Sequence, residues 1–185
     1  AGLAVKVLPS VDELLESNYH IQIREVSIND LLRREPVQLN SDAIGALLEG
    51  RTVMVTGAGG SIGSEICRQV LRFNPRALVL AERAENSLFS IEQELSGWVT
   101  NTELRPCVAD VADETRIEQV LAQHAPDVIF HAAAHKHVPL MEHNPGEAIK
   151  NNVVGTQRLA EAADRQGVSM FVMISTDKAV NPTSI

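Results

Sequence analysis

Thr56-Gly57-Ala58-Gly59-Gly60-Ser61-Ile62-Gly63 decides the fold because of what flanks it. Before it, Thr52-Val53-Met54-Val55-Thr56 is a β-branched apolar run with no polar alternation, the composition of a buried strand. After it, Ile62, Ile66 and Val70 recur at i, i+4 and i+8, which predicts an amphipathic helix from Ser61 to about Phe73. A glycine-rich turn between a strand and a helix is the arrangement that receives a dinucleotide. Gly57 allows the tight turn, Gly60 lets the backbone approach a pyrophosphate, and Gly63 lets helix and sheet pack closely. The helix start at Ser61 and Ile62 adds unpaired N–H groups and a positive dipole end. A merely structural glycine loop is the competing reading, and the strand–turn–helix context disfavours it.

Outward from this unit the pattern repeats. Ala77-Leu78-Val79-Leu80 reads as a second strand, and Leu88, Ile91 and Leu95 mark the next helix. Leu104 to Val108 is a third strand, followed by a helix from Asp113 to His124 with an acidic start. Asp127-Val128-Ile129-Phe130 is a fourth strand. A long helix from about Gly146 to Gln166 closes on Gly167, and Val168 to Ile174 forms a fifth strand. Continuous apolar strands separated by helices imply an α/β fold, a doubly wound parallel sheet covered on both faces. Residues 51–185 are therefore expected to form one nucleotide-binding domain. Residues 1–50 break the rhythm: short helices are expected around Val11, Leu14 and Leu15 and around Ile28, Leu31 and Leu32, with Pro9 and Pro36 as punctuation. We read this segment as a connecting arm.

The 185 residues are 44% hydrophobic, enough for one sizeable core. The net charge of -8 and pI of about 5.2, without a basic block, argue against a nucleic-acid partner. Cys67 and Cys107 form no CxxC and read as reduced, buried thiols of a cytoplasmic protein. No apolar run approaches the roughly 18 residues that span a bilayer, so no membrane contact is expected from this segment. The opening AGLAVKVLP is too short and too poorly flanked for a signal peptide. The chain opens on Ala1 and closes on Ile185 after a loop-like stretch, and is expected to be a piece of a longer protein, truncated at its C-terminus.

A ribose selector belongs at the end of the second strand, roughly 20 residues past the glycines, where Glu82 stands. Its carboxylate can accept from both ribose hydroxyls and would repel a 2′-phosphate, which favours NAD. Arg83 beside it would instead welcome NADP, and a solvated Glu82–Arg83 pair is the plain alternative. Asp110 and Val111, ending the third strand, lie where an adenine edge rests, or Asp110 only caps a helix. After the fourth strand comes Phe130-His131-Ala132-Ala133-Ala134-His135-Lys136-His137. The three alanines let a cofactor lie against the backbone at the point where strand order reverses. The histidines suggest a metal, but no carboxylate or cysteine completes a set and Lys136 repels cations, so packing histidines are the better reading. Asn152 is expected to tie the long helix to the fourth strand. Ser175-Thr176-Asp177-Lys178 follows the fifth strand, with Ser175, like Lys136 and Asn152, among the expected cofactor contacts. A 4,6-dehydration of a sugar needs an acid, a base and a hydroxyl that polarises the C4 oxygen. Asp177, Lys178 and Thr176 can supply them in that order, unless the dipeptide is an ordinary surface turn.

TGAGGSIGSE, FHAAAHKHVPLMEHNP, NNVVGT and STDKAVNP, in this order and spacing, resemble the CapD-like polysaccharide-biosynthesis proteins, UDP-N-acetylglucosamine 4,6-dehydratases. The likeness runs from about Arg51 to Ile185, and IREVSINDLLRREPV resembles the family's segment before the glycine loop. The resemblance implies a Rossmann fold, tightly held NAD or NADP and a UDP-sugar substrate; a homo-oligomer is expected because the fifth strand would lack its next neighbour and leave an unpaired edge. The resemblance assigns Thr176, Asp177 and Lys178 to catalysis, with Asp177 as acid and Lys178 as base. Related dTDP-glucose dehydratases carry Thr-Asp-Glu there, so Lys178 points to the UDP-N-acetyl-sugar branch. The family continues past Ile185 to a further lysine and the sugar-binding lobe, so this chain alone is expected to be inactive. Members often carry upstream membrane spans, which would anchor a parent at the cytoplasmic face of the membrane. A sugar-nucleotide 4-epimerase and a non-catalytic dinucleotide-sensing module are the alternatives.

Overall fold

The computed structural model describes residues 6–7, 24–25, 40–98, 101–176, 179 and 181–182. The chain divides into two compact units, Ala1–Asn40 and Ser41–Ile185. In the first, Lys6–Val7 pairs antiparallel with Arg24–Glu25, Lys6 opposite Glu25. The short helices expected around Val11–Leu15 and Ile28–Leu32 lie outside the described residues. The division puts residues 41–50 of the expected arm with the second unit. There, helix α1 (Ser41–Leu48) buries Leu48 in the same cluster as Val53 and Val70.

The second unit holds five parallel strands: β1 (Thr52–Thr56), β2 (Ala77–Glu82), β3 (Glu103–Val108), β4 (Val128–His131) and β5 (Met170–Met173). Their order is β3-β2-β1-β4-β5, the doubly wound arrangement that reverses direction between β1 and β4. Thr52 stands opposite Ala77, Val53 opposite Val128, and Val128 opposite Met170. All five residues of β1 are buried, as expected of a central strand covered on both faces.

Alternation along the strands divides the core. Val53 and Val55 of β1 join Leu78 and Leu80 of β2 under α2 (Ser61–Leu71) and α3 (Glu85–Ser96), which contribute Cys67, Val70, Leu88, Ile91 and Leu95. Met54, Val79 and Ile129 point the other way. They pack on α4 (Glu114–His124), through Ile117, Val120 and Leu121, and on the final helix, through Leu159, Ala162 and Ala163. Asp113 caps α4 by accepting the Arg116 N–H at 3.0 Å.

Two helical details differ from the sequence reading. Residues 138–143, left unassigned, form α5 (Val138–His143), with Pro139 in the first turn, where its missing N–H costs nothing. The long helix expected from Gly146 runs as α6 (Pro145–Ala148), a π-helical stretch (Ile149–Gly155) and α7 (Thr156–Arg165). Within the wider π turn, Asn151 is buried, and Gly155 would bring a Cβ within 3.1 Å of Val111 Cγ2. Gly167 follows at φ +69, the left-handed conformation that stops a helix.

Candidate functional site

The glycine turn is held where only glycines fit. Gly57 has φ +68, and a Cβ there would lie 2.9 Å from Ala132 O and from the Ala133 backbone. A Cβ on Gly63 would stand 2.0 Å from Gly57 O, so the first turn of α2 sits directly on the loop. The Gly60 N–H donates to Gly57 O at 2.9 Å and closes the turn. Gly59 is a third tight position missed by the sequence reading, its notional Cβ 2.5 Å from Ser87 Cβ on α3. The amides of Ser61, Ile62 and Gly63, in the first turn of α2, have no carbonyl one turn earlier within the helix.

At the end of β2 the Glu82 carboxylate accepts the Gly59 N–H at 3.2 Å and the Ala84 N–H at 3.0 Å. It is fixed at the lip of the turn, with lone pairs to spare. Arg83 contacts two other side chains at the crevice. Its Nη1 lies 3.8 Å from Asp110 Oδ2 and its Nη2 3.5 Å from His135 Nε2. Asp110 is anchored in turn, its Oδ1 accepting the Ala112 N–H at 2.9 Å. Val111, next along the chain, is buried.

At the end of β4, His131 is 3% exposed and uses both ring nitrogens. Thr56 Oγ1 lies 2.7 Å from Nδ1, and Thr156 Oγ1 lies 2.8 Å from Nε2. The imidazole thus joins the residue before the glycine turn to the first residue of α7. Burial among apolar groups pushes its pKa down to about 4, so it is neutral at physiological pH. Beyond the alanines, Asn152 makes a reciprocal pair with the backbone of His135. Its Oδ1 accepts the His135 N–H at 2.8 Å, and its Nδ2 donates to His135 O at 2.8 Å. Asn151 Nδ2 donates to the same Oδ1 at 3.1 Å.

These elements enclose an open crevice of about 270 Å³ at the carboxyl ends of the strands. Of the residues singled out in the sequence, Gly57, Gly60, Glu82, Arg83, Asp110, Val111 and Ala132–Ala134 line it. Ala84, Ala109, His135 and Asn151 line it as well. The Arg83–His135 contact has no sequence signal, because the two residues meet only through the sheet order. Lys136 is exposed and lies outside the lining, while Asn152 acts on the wall from behind. At the end of β5, the Ile174 N–H donates to His131 O at 3.0 Å, and Ser175 and Thr176 are exposed beyond it. Asp177 and Lys178 lie outside the described residues. Among the described residues, no three His, Cys, Asp or Glu side chains gather as metal ligands, and no helix is long and apolar enough to cross a membrane.

Comparison with known proteins gives this geometry a context. The profile of the family described as "Polysaccharide biosynthesis protein" matches residues 53–185. The chain is 50% identical over its whole length to the probable polysaccharide biosynthesis protein EpsC of Bacillus subtilis, covering 31% of that protein. It is 34% identical, over 75% of its length, to a UDP-N-acetylglucosamine 4,6-dehydratase (inverting) of Campylobacter jejuni, covering 40% of it. Among solved structures, it resembles the UDP-glucose 4-epimerase of Stenotrophomonas maltophila with bound NAD and formylated UDP-arabinopyranose. There the TM-score is 0.63 and the identity 26%, over 73% of this chain and 43% of that one.

Proposed function

Because the chain belongs to the polysaccharide biosynthesis protein family, we propose that it is the dinucleotide-binding portion of a nucleotide-sugar 4,6-dehydratase that holds NAD and acts on UDP-N-acetylglucosamine. The chain spans less than half of the relatives it matches, so the complete reaction belongs to the longer protein. The observation that carries the reading is the crevice itself. Gly57 and Gly63 admit no Cβ, Gly60 and three alanines form a low wall, and an anchored carboxylate stands at the lip. That is the shape and polarity of a site for pyrophosphate, ribose and a flat ring. NAD held there supplies a hydride acceptor and donor. The NAD-bound Stenotrophomonas epimerase supports this cofactor.

The residues after β5 distinguish the reaction. Elimination of water across C5 and C6 removes the C5 proton and the C6 hydroxyl. Lys178 takes the proton, Asp177 protonates the departing hydroxyl, and the Thr176 hydroxyl polarises the C4 oxygen. A 4-epimerase needs no such acid–base pair, which makes it the second reading despite the structural likeness. Incubating the complete native protein with NAD and UDP-N-acetylglucosamine, followed by NMR, separates the two. A 4-keto-6-deoxy product supports the dehydratase, and a C4 epimer supports the epimerase. No product from a protein that binds NAD supports a sensing module. Asp177→Asn is expected to retain the initial hydride transfer, read at 340 nm, and to lose elimination at least a hundredfold. Wild-type turnover by that variant would remove Asp177 from the acid role.

A further inference from the structure

Beside the ribose selector at the end of β2, the segment just past the end of β3 supplies a second carboxylate, Asp110. We propose that Asp110 is a positioning residue for cofactor specificity, acting through Arg83. The inference rests on the reading of the crevice as a dinucleotide site.

Arg83 directly follows Glu82, and a free guanidinium at that position is the group that would pair with a 2′-phosphate. Here it is not free to do so. Its Nη1 lies 3.8 Å from Asp110 Oδ2, across the gap between the ends of β2 and β3. Its Nη2 lies 3.5 Å from the imidazole of His135, beyond β4. Both partners are tied to backbone. The Ala112 N–H holds Asp110 at 2.9 Å, and the Asn152 amide holds the His135 backbone through two bonds of 2.8 Å. The tether therefore has a fixed far end. Glu82 is fixed as well, by the N–H groups of Gly59 and Ala84, so the ribose corner presents an anion while the neighbouring cation, in the same crevice, is paired with Asp110. Glu82 alone does not produce this arrangement, because the side chain that would offset its charge is next to it in sequence. Asp110 keeps the two apart.

A double-mutant cycle on the complete native protein tests this, with NADH and NADPH titrated by nicotinamide fluorescence and AMP and 2′-phospho-AMP as competitors. The wild type is expected to prefer NADH. Asp110→Asn releases Arg83 and is expected to move the NADH:NADPH affinity ratio about fivefold toward NADPH, equivalent to about 1 kcal/mol. That size suits an ion pair whose side chains are 48% and 39% exposed. In the Arg83→Ala background the same Asp110→Asn change is expected to leave the ratio within about twofold. An equal shift in both backgrounds would show that Asp110 acts through its own charge, and would overturn the proposal. So would an unchanged ratio in Asp110→Asn, or NADPH preference in the wild type. Loss of all nucleotide binding in the wild type would instead refute the reading of the crevice on which the proposal rests. The AMP pair isolates the ribose corner, so a shift seen with the dinucleotides but not with these competitors also counts against it.

Discussion

Replacing Gly63 by alanine sets two effects of opposite sign against each other. Gly63 is buried in the first turn of α2, with no left-handed φ, so alanine is conformationally acceptable there. Alanine in a helix is favoured over glycine by about 1 kcal/mol. The added methyl, however, would stand 2.0 Å from Gly57 O, 2.7 Å from Gly57 C and 3.1 Å from Ala58 Cα. All three are main-chain atoms, and none can rotate aside. The loop that carries them is pinned on its other side, where Gly57 meets the Ala132–Ala133 backbone. Relief therefore requires α2 to shift away from the sheet and lose contacts of Cys67 and Val70 with the core. Overpacking of this kind costs about 1–3 kcal/mol, and the rigidity of the obstacle puts this site at or above the upper end. The expected net loss is about 2 kcal/mol, read as a lower urea midpoint with unchanged slope. Gly146→Ala is the control: it is also helical and a Cβ there meets nothing within 4 Å, so the propensity gain stands alone and the variant should be stabilised by up to about 1 kcal/mol. Gly63→Ala as stable as the wild type would refute the close approach of α2 to the turn.

Three further outcomes follow from the same geometry. His131 has a folded pKa of about 4 against 6.5 for a free imidazole, so the unfolded chain binds the proton more readily. Its contribution is complete above about pH 6.5 and is lost as pH falls toward 4. Between pH 7 and 4 the wild type should lose about 3 kcal/mol more than His131→Gln, and parallel stability profiles would contradict the buried neutral imidazole. Asn152→Ala removes both bonds to the His135 backbone and should cost about 1–2 kcal/mol while weakening NAD binding. Unaltered binding and urea midpoint would show the tie to be incidental. Cys67 is fully buried, with its thiol pushed up to about 12 by desolvation. It should react with a thiol reagent only at the rate of unfolding, and fast labelling in native buffer would contradict that burial.

The centre of the sheet is legible in the sequence because β1 and β2 are buried almost throughout and appear as unbroken apolar runs, whereas the edge strands β3 and β5 are mostly half-buried or exposed. The bounds shift by one or two residues: β2 runs on to Glu82, β4 spans Val128–His131 and β5 is confined to Met170–Met173. Asp127, read as the start of the fourth strand, lies just outside it and uses its carboxylate to accept the Thr52 N–H at 2.8 Å. The glycine turn was legible because Gly57 and Gly63 answer to steric demands of the turn itself. The Thr56–His131–Thr156 relay was not, since its members come from three elements and each is an ordinary residue in its own segment. The π turn was equally silent: Asn152 and Gly155 within it meet the His135 backbone and Val111, contacts made only in the fold, and helical periodicity hardly changes over one extra residue. Arg83 illustrates the remaining gap. Its charge is visible in the sequence, but its contact with Asp110, just past the end of β3, is made only by the order of the strands.

The order β3-β2-β1-β4-β5 also prescribes how the sheet grows during synthesis. A chain emerging from its N-terminus lays down the central strand first, then extends the sheet on one flank with β2 and β3, and only afterwards on the other with β4 and β5. Each new strand meets an edge that already exists, and none has to wedge between two neighbours. The cost is a waiting period. From the emergence of β1 until β4 arrives, 75 residues later by the Thr56–His131 pairing, the second edge of the most buried strand stands open. An open, apolar edge recruits whatever strand is nearest. Slowing translation between residues 57 and 127 would lengthen that exposure, whereas slowing it after residue 131 would not.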